Sequence, residues 1–255
     1  MPRTALLTLA LLLAPSLATA QSVEAQGSRD EFDYAVDSTG VLYRINLDSG
    51  EYAKVGQIGV TTESGRKLTP AITDLAATPD GHLYAISFDG LYLVNISDPG
   101  QSRRIGALGI SGANAMTLAP DGRILVTTLA GQVHAVDLET GRATLIGPMG
   151  GGLASSGDSE LVGDYFYATT KDAKDTERLA RVDHKTGHAE DLGELRDVDG
   201  RPVRDVWGLI NRKGRLYGLT ASGDIVRIDV TNPGRCVRVL RTRVTWWGAT
   251  AYVRM

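Results

Sequence analysis

The sequence predicts an all-β fold: a five-bladed β-propeller closed by pairing of the C-terminal strand with the N-terminal blade. Three observations carry that expectation. A β-rich unit that ends in Asn or Asp and turns on Gly recurs five times. Glycine supplies 30 of the 255 residues, which suits a chain of many tight turns. Beyond the N-terminal segment, no apolar run has helical length or helical spacing.

The first element reads as a targeting segment. Arg3 is followed by an apolar run over residues 5–13, Pro15 breaks it, and Ala18-Thr19-Ala20 gives a small-x-small cleavage site before Gln21. The run is shorter than the ~20 residues that cross a bilayer. A signal peptide is therefore expected over 1–20, rather than a buried N-terminal helix. A polar, disordered leader is expected over 21–29, and a single propeller domain over 30–255. No later stretch is long and apolar enough to span a membrane, so the expected location is the periplasm or the cell exterior.

The repeats come next. Asn46 leads to Gly50, Asn95 to Gly100, Asp137 to Gly141, Asp183 to Gly187 and Asp229 to Gly234. An Asx side chain there can bond the turn backbone, while Gly supplies a positive φ. A second turn precedes each later unit (Asp80-Gly81, Asp121-Gly122, Gly163-Asp164, Lys213-Gly214), and a third lies between (Thr39-Gly40, Asp89-Gly90, Ala130-Gly131, Ser222-Gly223). Each unit thus holds four short strands in roughly 40 to 50 residues, the period of a propeller blade. The first unit has only three strands. Its missing inner strand is expected at the other end, where Trp247-Gly248-Ala249-Thr250-Ala251-Tyr252 matches Trp207-Gly208-Leu209-Ile210. Such closure leaves no free inner edge. The long piece over 60–70 is where a sixth blade would have to hide, and a sandwich or barrel is the architectural alternative.

The segments LYRINLDSGEYAKVG, VHAVDLETGRATLIG and LYGLTASGDIVRID resemble the repeats of secreted bacterial β-propellers of the WD40/YVTN-like and gluconolactonase-like group. The resemblance extends over nearly the whole chain after the signal, although the Trp-Asp dipeptide of true WD40 repeats is missing. It implies the fold. It leaves function open, because propellers host hydrolases, lyases, lectins and scaffolds.

Composition excludes several classes. Lys and Arg number 27 against 30 Asp and Glu, for a net charge of −3, which argues against a nucleic-acid binder. The single Cys, Cys236, excludes an intramolecular disulfide and a Cys-based zinc site; it is expected as a small buried hydrophobe in a strand. Neither a Gly-x-Ser-x-Gly elbow nor a His-Glu-x-x-His motif is present, so no catalytic residue is assigned.

Candidate binding residues follow from convergence. The Asx residues of the hairpin turns lie far out on each blade and cannot meet. The starts of the inner strands do meet, at one mouth of the central channel. The residues expected there are Asp74, Asn114, Asp158, Asp205, Trp207, Trp246 and Trp247. Asp74, Asn114, Asp158 and Asp205 would suit Ca²⁺ or another divalent cation if they share a point. Gluconolactonase-like propellers carry such a ring, which the resemblance implies here only with a different ligand order and no Glu. The indoles could stack on a sugar or other flat ligand, and the Gly-rich run over 147–157 could form a pocket edge. The acidic loop of Asp197, Asp199, Gly200 and Asp205 lacks EF-hand spacing and reads as solvated. Arg235, Arg238, Arg241 and Arg243 read as protection of an edge strand.

Three functions fit this reading. The first is a monomeric binding module for a protein or small-molecule ligand at the channel mouth. The alternatives are a metal-dependent hydrolase of lactonase type on the same ring, and a purely structural surface protein.

Overall fold

The computed structural model describes residues 32–252. The signal and leader expectations fall outside them. Five four-stranded antiparallel sheets succeed one another along the chain, each running from an inner to an outer strand. Blade 2 comprises Ile72–Ala77, Leu83–Ser87, Gly90–Val94 and Arg103–Ala107. Blade 3 comprises Ala113–Leu118, Ile124–Thr128, Gln132–Val136 and Ala143–Pro148. Blade 4 comprises Ala154–Val162, Tyr165–Lys171, Glu177–Val182 and Ala189–Glu194. Blade 5 comprises Val206–Arg212, Arg215–Thr220, Asp224–Ile228 and Val237–Arg241.

Blade 1 is built from both ends of the chain. Its outer three strands are Asp33–Asp37, Val41–Asn46 and Glu51–Gln57, and its inner strand is Trp246–Thr250. The closing pair is antiparallel, with Tyr34 opposite Thr250 and Val36 opposite Gly248. The expected closure and the count of five both hold. The 60–70 piece forms only a two-stranded hairpin, Val60–Thr61 with Lys67–Leu68.

The core lies between sheets, because each blade is apolar on both faces near the hub. One buried cluster joins blades 1 and 2 through Val36, Leu42, Leu75 and Leu83. Another joins blades 5 and 1 through Ile210, Leu219, Ile225, Trp246 and Ala249. The hairpin turns form as their residue types dictate. The Asp137 carboxylate accepts the Glu139 and Thr140 N–H groups at 2.8 and 2.9 Å, and Asn46, Asn95, Asp183 and Asp229 act alike. Gly50, Gly141 and Gly187 take positive φ. Gly100 and Gly234 do not. Their preceding prolines fix a single 3₁₀ turn instead, Pro99–Gln101 and Pro233–Arg235.

Two smaller expectations resolve here. Cys236 is buried, with its Sγ 3.4 Å from the Pro233 carbonyl, and burial pushes its thiol up to about 12. It sits just before the outer strand of blade 5 rather than within it. On that strand Arg238 and Arg241 lie 3.6 and 3.5 Å from Asp224, placing charge along a free sheet edge.

Candidate functional site at the channel mouth

Every inner strand carries a β-bulge at its mouth end. Thr73 is the extra residue in blade 2, between the pairs Ile72–Ser87 and Asp74–Ile86. Asn114 is extra in blade 3, Trp207 in blade 5 and Trp247 in blade 1. In blade 4 the pairing breaks between Ser155 and Ser159. A bulge re-aims the side chain it carries and bends the strand. Here the bulges place Asn114, Ser156, Gly157, Trp207 and Trp247 around a single cavity of about 220 Å³. Phe88, Leu129, Ser155 and Lys171 complete its wall.

The cavity wall combines aromatic and polar side chains. The Trp207 and Trp247 rings meet edge-on, with centroids 4.8 Å apart and planes inclined at 62°. Phe88 and Leu129 stand exposed at the rim. Among the polar residues, Asn114 Nδ2 donates to Ser155 Oγ at 3.3 Å, and Ser156 Oγ donates to Glu177 Oε1 at 2.5 Å. Burial pushes the Glu177 carboxyl up to about 7. Lys171 Nζ pairs with Asp175 at 3.0 Å and lies within the fields of Glu177 and Asp205.

Immediately behind the bulges lies the hub. Asp74 and Asp158 meet there, fully buried and hydrogen-bonded to each other. Asp74 Oδ1 accepts the Leu75 N–H at 2.8 Å and the Ala249 N–H at 3.2 Å, while Oδ2 accepts Met116 N–H at 2.6 Å. Asp158 Oδ1 accepts the Ser159 N–H at 2.5 Å, and its Oδ2 accepts the N–H groups of Leu209 and Ala249. Leu75, Met116, Ser159, Leu209 and Ala249 occupy one equivalent position in the five blades, so two carboxyl groups satisfy a complete ring of inward N–H donors. Burial first, and then the neighbouring carboxylate, raise the Asp74 pKa; burial also raises that of Asp158. The pair therefore keeps a proton well above the ordinary carboxyl range.

This geometry corrects part of the sequence reading. Asp74, Asn114, Asp158 and Asp205 do not share a point. Asn114 sits on the bulge, Asp74 and Asp158 lie one step deeper, and Asp205 precedes the blade 5 strand in a left-handed conformation with φ 53°. The donor set also does not fit Ca²⁺ or a similar cation, because the Asp74 and Asp158 oxygens already face N–H dipoles. Among the described residues no three acidic, His or Cys side chains form a group suited to a metal. Trp246 does not reach the mouth either. It is wholly buried between blades 5 and 1, edge-on to Tyr43 at 5.4 Å. A one-residue slip in a strand reverses the face of its side chain, so adjacent indoles point apart. Asp197 also serves its own loop, accepting the Asp199 and Arg201 N–H groups at 2.9 and 2.8 Å. The sequence reading missed Glu177, Lys171, Phe88 and Leu129. Lys171, Phe88 and Leu129 come from second strands and the turns beyond them, and Glu177 opens a third strand, where no sequence repeat marks a convergence.

A second, outer groove of about 360 Å³ runs along blade 4 between Asp164, Tyr165, Arg181, His184, His188 and Glu190. Within it Arg181 pairs with Glu190 at 2.5 Å, and His184 Nε2 lies 3.7 Å from Asp121 of blade 3.

Comparison with known proteins supplies context. A family model described as a repeat of unknown function (DUF6923) matches residues 75–249. No curated protein matches the sequence. Among solved structures, a protein of unknown function from Bacteroides caccae is 14% identical, with a TM-score of 0.54; the alignment covers 88% of this chain and 99% of that one. A protein of unknown function from Bacteroides thetaiotaomicron is 14% identical with a TM-score of 0.49, covering 82% of this chain but only 58% of that one. A gluconolactonase from Xanthomonas campestris is 11% identical with a TM-score of 0.47, covering 87% and 88%. At these identities the likeness shows the fold alone.

Proposed function

The chain belongs to the DUF6923 repeat family, and from that premise we propose that it is a binding module whose ligand seats at the channel mouth. The observation that carries this reading is the bulge repeated in all five inner strands, which turns a packed hub into a walled cavity of about 220 Å³. A cavity with two indole faces and a few convergent polar groups suits a small ring or the end of a longer ligand. The metal-dependent hydrolase reading has less support, since the hub carboxyls are engaged by backbone donors and Asp205 stands apart from them.

The test is a small-molecule panel followed by intrinsic tryptophan fluorescence. Binders should perturb the emission of the native chain and lose their effect in Trp207→Ala and Trp247→Ala. Binding that survives both substitutions would place the ligand elsewhere and remove the basis of the proposal. We further propose that the module is exported, from Arg3, the apolar run over 5–13 and Ala18-Thr19-Ala20. Cell fractionation with and without residues 1–20 checks this; retention of the full chain in the cytoplasm would contradict it.

A further inference from the structure

We infer that the mouth cavity takes an organic cation: a quaternary or alkylated ammonium group lodged against Trp207 and Trp247. This rests on the reading of the mouth as a ligand site and adds the charge of the ligand. Three features support it. The first is the aromatic wall. The two indoles are inclined at 62° with their centroids 4.8 Å apart, and the exposed Phe88 ring completes the enclosure. An indole face attracts a cation within about 6 Å of its centroid, and the attraction grows when both are shielded from water.

The second is the charge around the cavity. Lys171 contributes one ammonium to the wall, and the carboxyl groups of Asp175, Glu177 and Asp205 act on it from outside the lining residues. Asp175 already pairs with Lys171 at 3.0 Å. That leaves Asp205, together with whatever fraction of Glu177 is ionised, as unbalanced negative charge. An anionic ligand would meet this field unfavourably and a neutral one would not use it.

The third is how the mouth treats the cation it already has. The Lys171 ammonium is partly buried, which by itself would weaken its hold on a proton; yet Asp175, Glu177 and Asp205 together raise its pKa above the usual lysine value. The site therefore stabilises positive charge at its wall despite desolvation. A second cation at the indole faces would feel the same carboxylates, opposed only by Lys171. Removing the Lys171 charge should thus strengthen binding, a sign that a sugar or neutral-ring site would not share.

The experiment is a fluorescence titration with choline, its neutral isostere 3,3-dimethylbutanol, and methyl glucoside, repeated on three variants whose thermal unfolding is checked first. Choline should saturate and should bind about tenfold more tightly than the isostere, the ratio expected of a shielded cation–π contact. Trp247→Ala should abolish the signal, Asp205→Asn should weaken choline several-fold, and Lys171→Met should strengthen it. Asn tolerates the left-handed backbone at 205, so that variant should keep its fold. Equal affinity for choline and the isostere, or weaker choline binding in Lys171→Met, overturns the inference. Saturation by methyl glucoside alone also overturns it while leaving the mouth as a ligand site. Absence of any titration overturns the inference as well, while the mouth as a ligand site still stands or falls by the wider panel and the tryptophan variants.

Discussion

Five inward N–H groups without acceptors would be costly at the centre of a ring, and Asp74 and Asp158 answer all five. Asp158→Ala should therefore leave the Leu209 and Ser159 donors unsatisfied and lower unfolding stability by at least ~2 kcal/mol in urea titration. One layer deeper, Glu160 accepts Leu161 N–H at 2.9 Å and Ala251 N–H at 3.0 Å, and burial pushes its carboxyl up to about 8. Glu177 is raised to about 7 for the same reason. In the unfolded chain such carboxyls ionise near about 4. Between those values the folded state binds more protons than the unfolded one, so its stability is full below about pH 4 and falls as pH rises toward 8. Asp48 acts in the opposite sense, held at about 2 by Lys213 and Arg212, and weakens the fold only in strong acid. The melting temperature should accordingly peak on the acid side of neutrality and decline through pH 7–9, and Glu160→Gln should flatten the decline. A melting temperature that rises with pH over this range would contradict the assignment. Asp74 and Asp158 were visible in the sequence as members of a convergent set, whereas Glu160 and Glu177 were not. The role of the two aspartates was not visible, because an aspartate that binds a cation and one that binds backbone N–H groups are the same letter.

Elements were legible where one residue type governs local geometry, and illegible where register does. The Asx–Gly turns were readable because a short acceptor side chain and a positive φ are local requirements. The bulges were not, since one extra residue in an inner strand leaves no compositional trace and reverses every side chain before it. That is why Asn114 and Trp247 reached the mouth while Trp246 turned into the core. Gly248, directly after the blade 1 bulge, shows how little room the bend leaves: a Cβ there would lie 2.7 Å from Asp74 Cα and 2.9 Å from the Thr73 carbonyl oxygen. Both neighbours are backbone and cannot step aside. Gly248→Ala should therefore cost ~2 kcal/mol or more, the range of overpacked cores, and should shift the tryptophan emission because Trp247 sits on the moved segment. Gly163→Ala, with nothing within 4 Å of its Cβ, pays only the strain of a positive φ and should cost less.

At the scale of the molecule, closure was the feature the sequence made clearest, since a three-strand first unit and an orphan inner strand at the far end admit one solution. The energetic consequence follows from where that strand lies. Trp246–Thr250 supplies the inner edge of blade 1, buries Trp246 in the cluster between blades 5 and 1, and presents Ala249 N–H to both hub carboxyls. Without it, Asp33–Asp37 becomes a free edge facing the hub, and Asp74 and Asp158 lose a shared donor. A chain ending at residue 245 should therefore lose the sharp thermal transition of the intact ring, read by near-ultraviolet circular dichroism, rather than shed one strand's worth of stability. A synthetic peptide of residues 244–252 added in trans should restore the transition in a concentration-dependent way, because it brings back the edge pairing, the indole and the donor together. A truncated chain that melts like the intact one would mean that the blades are held by their neighbour contacts alone and that ring closure contributes little.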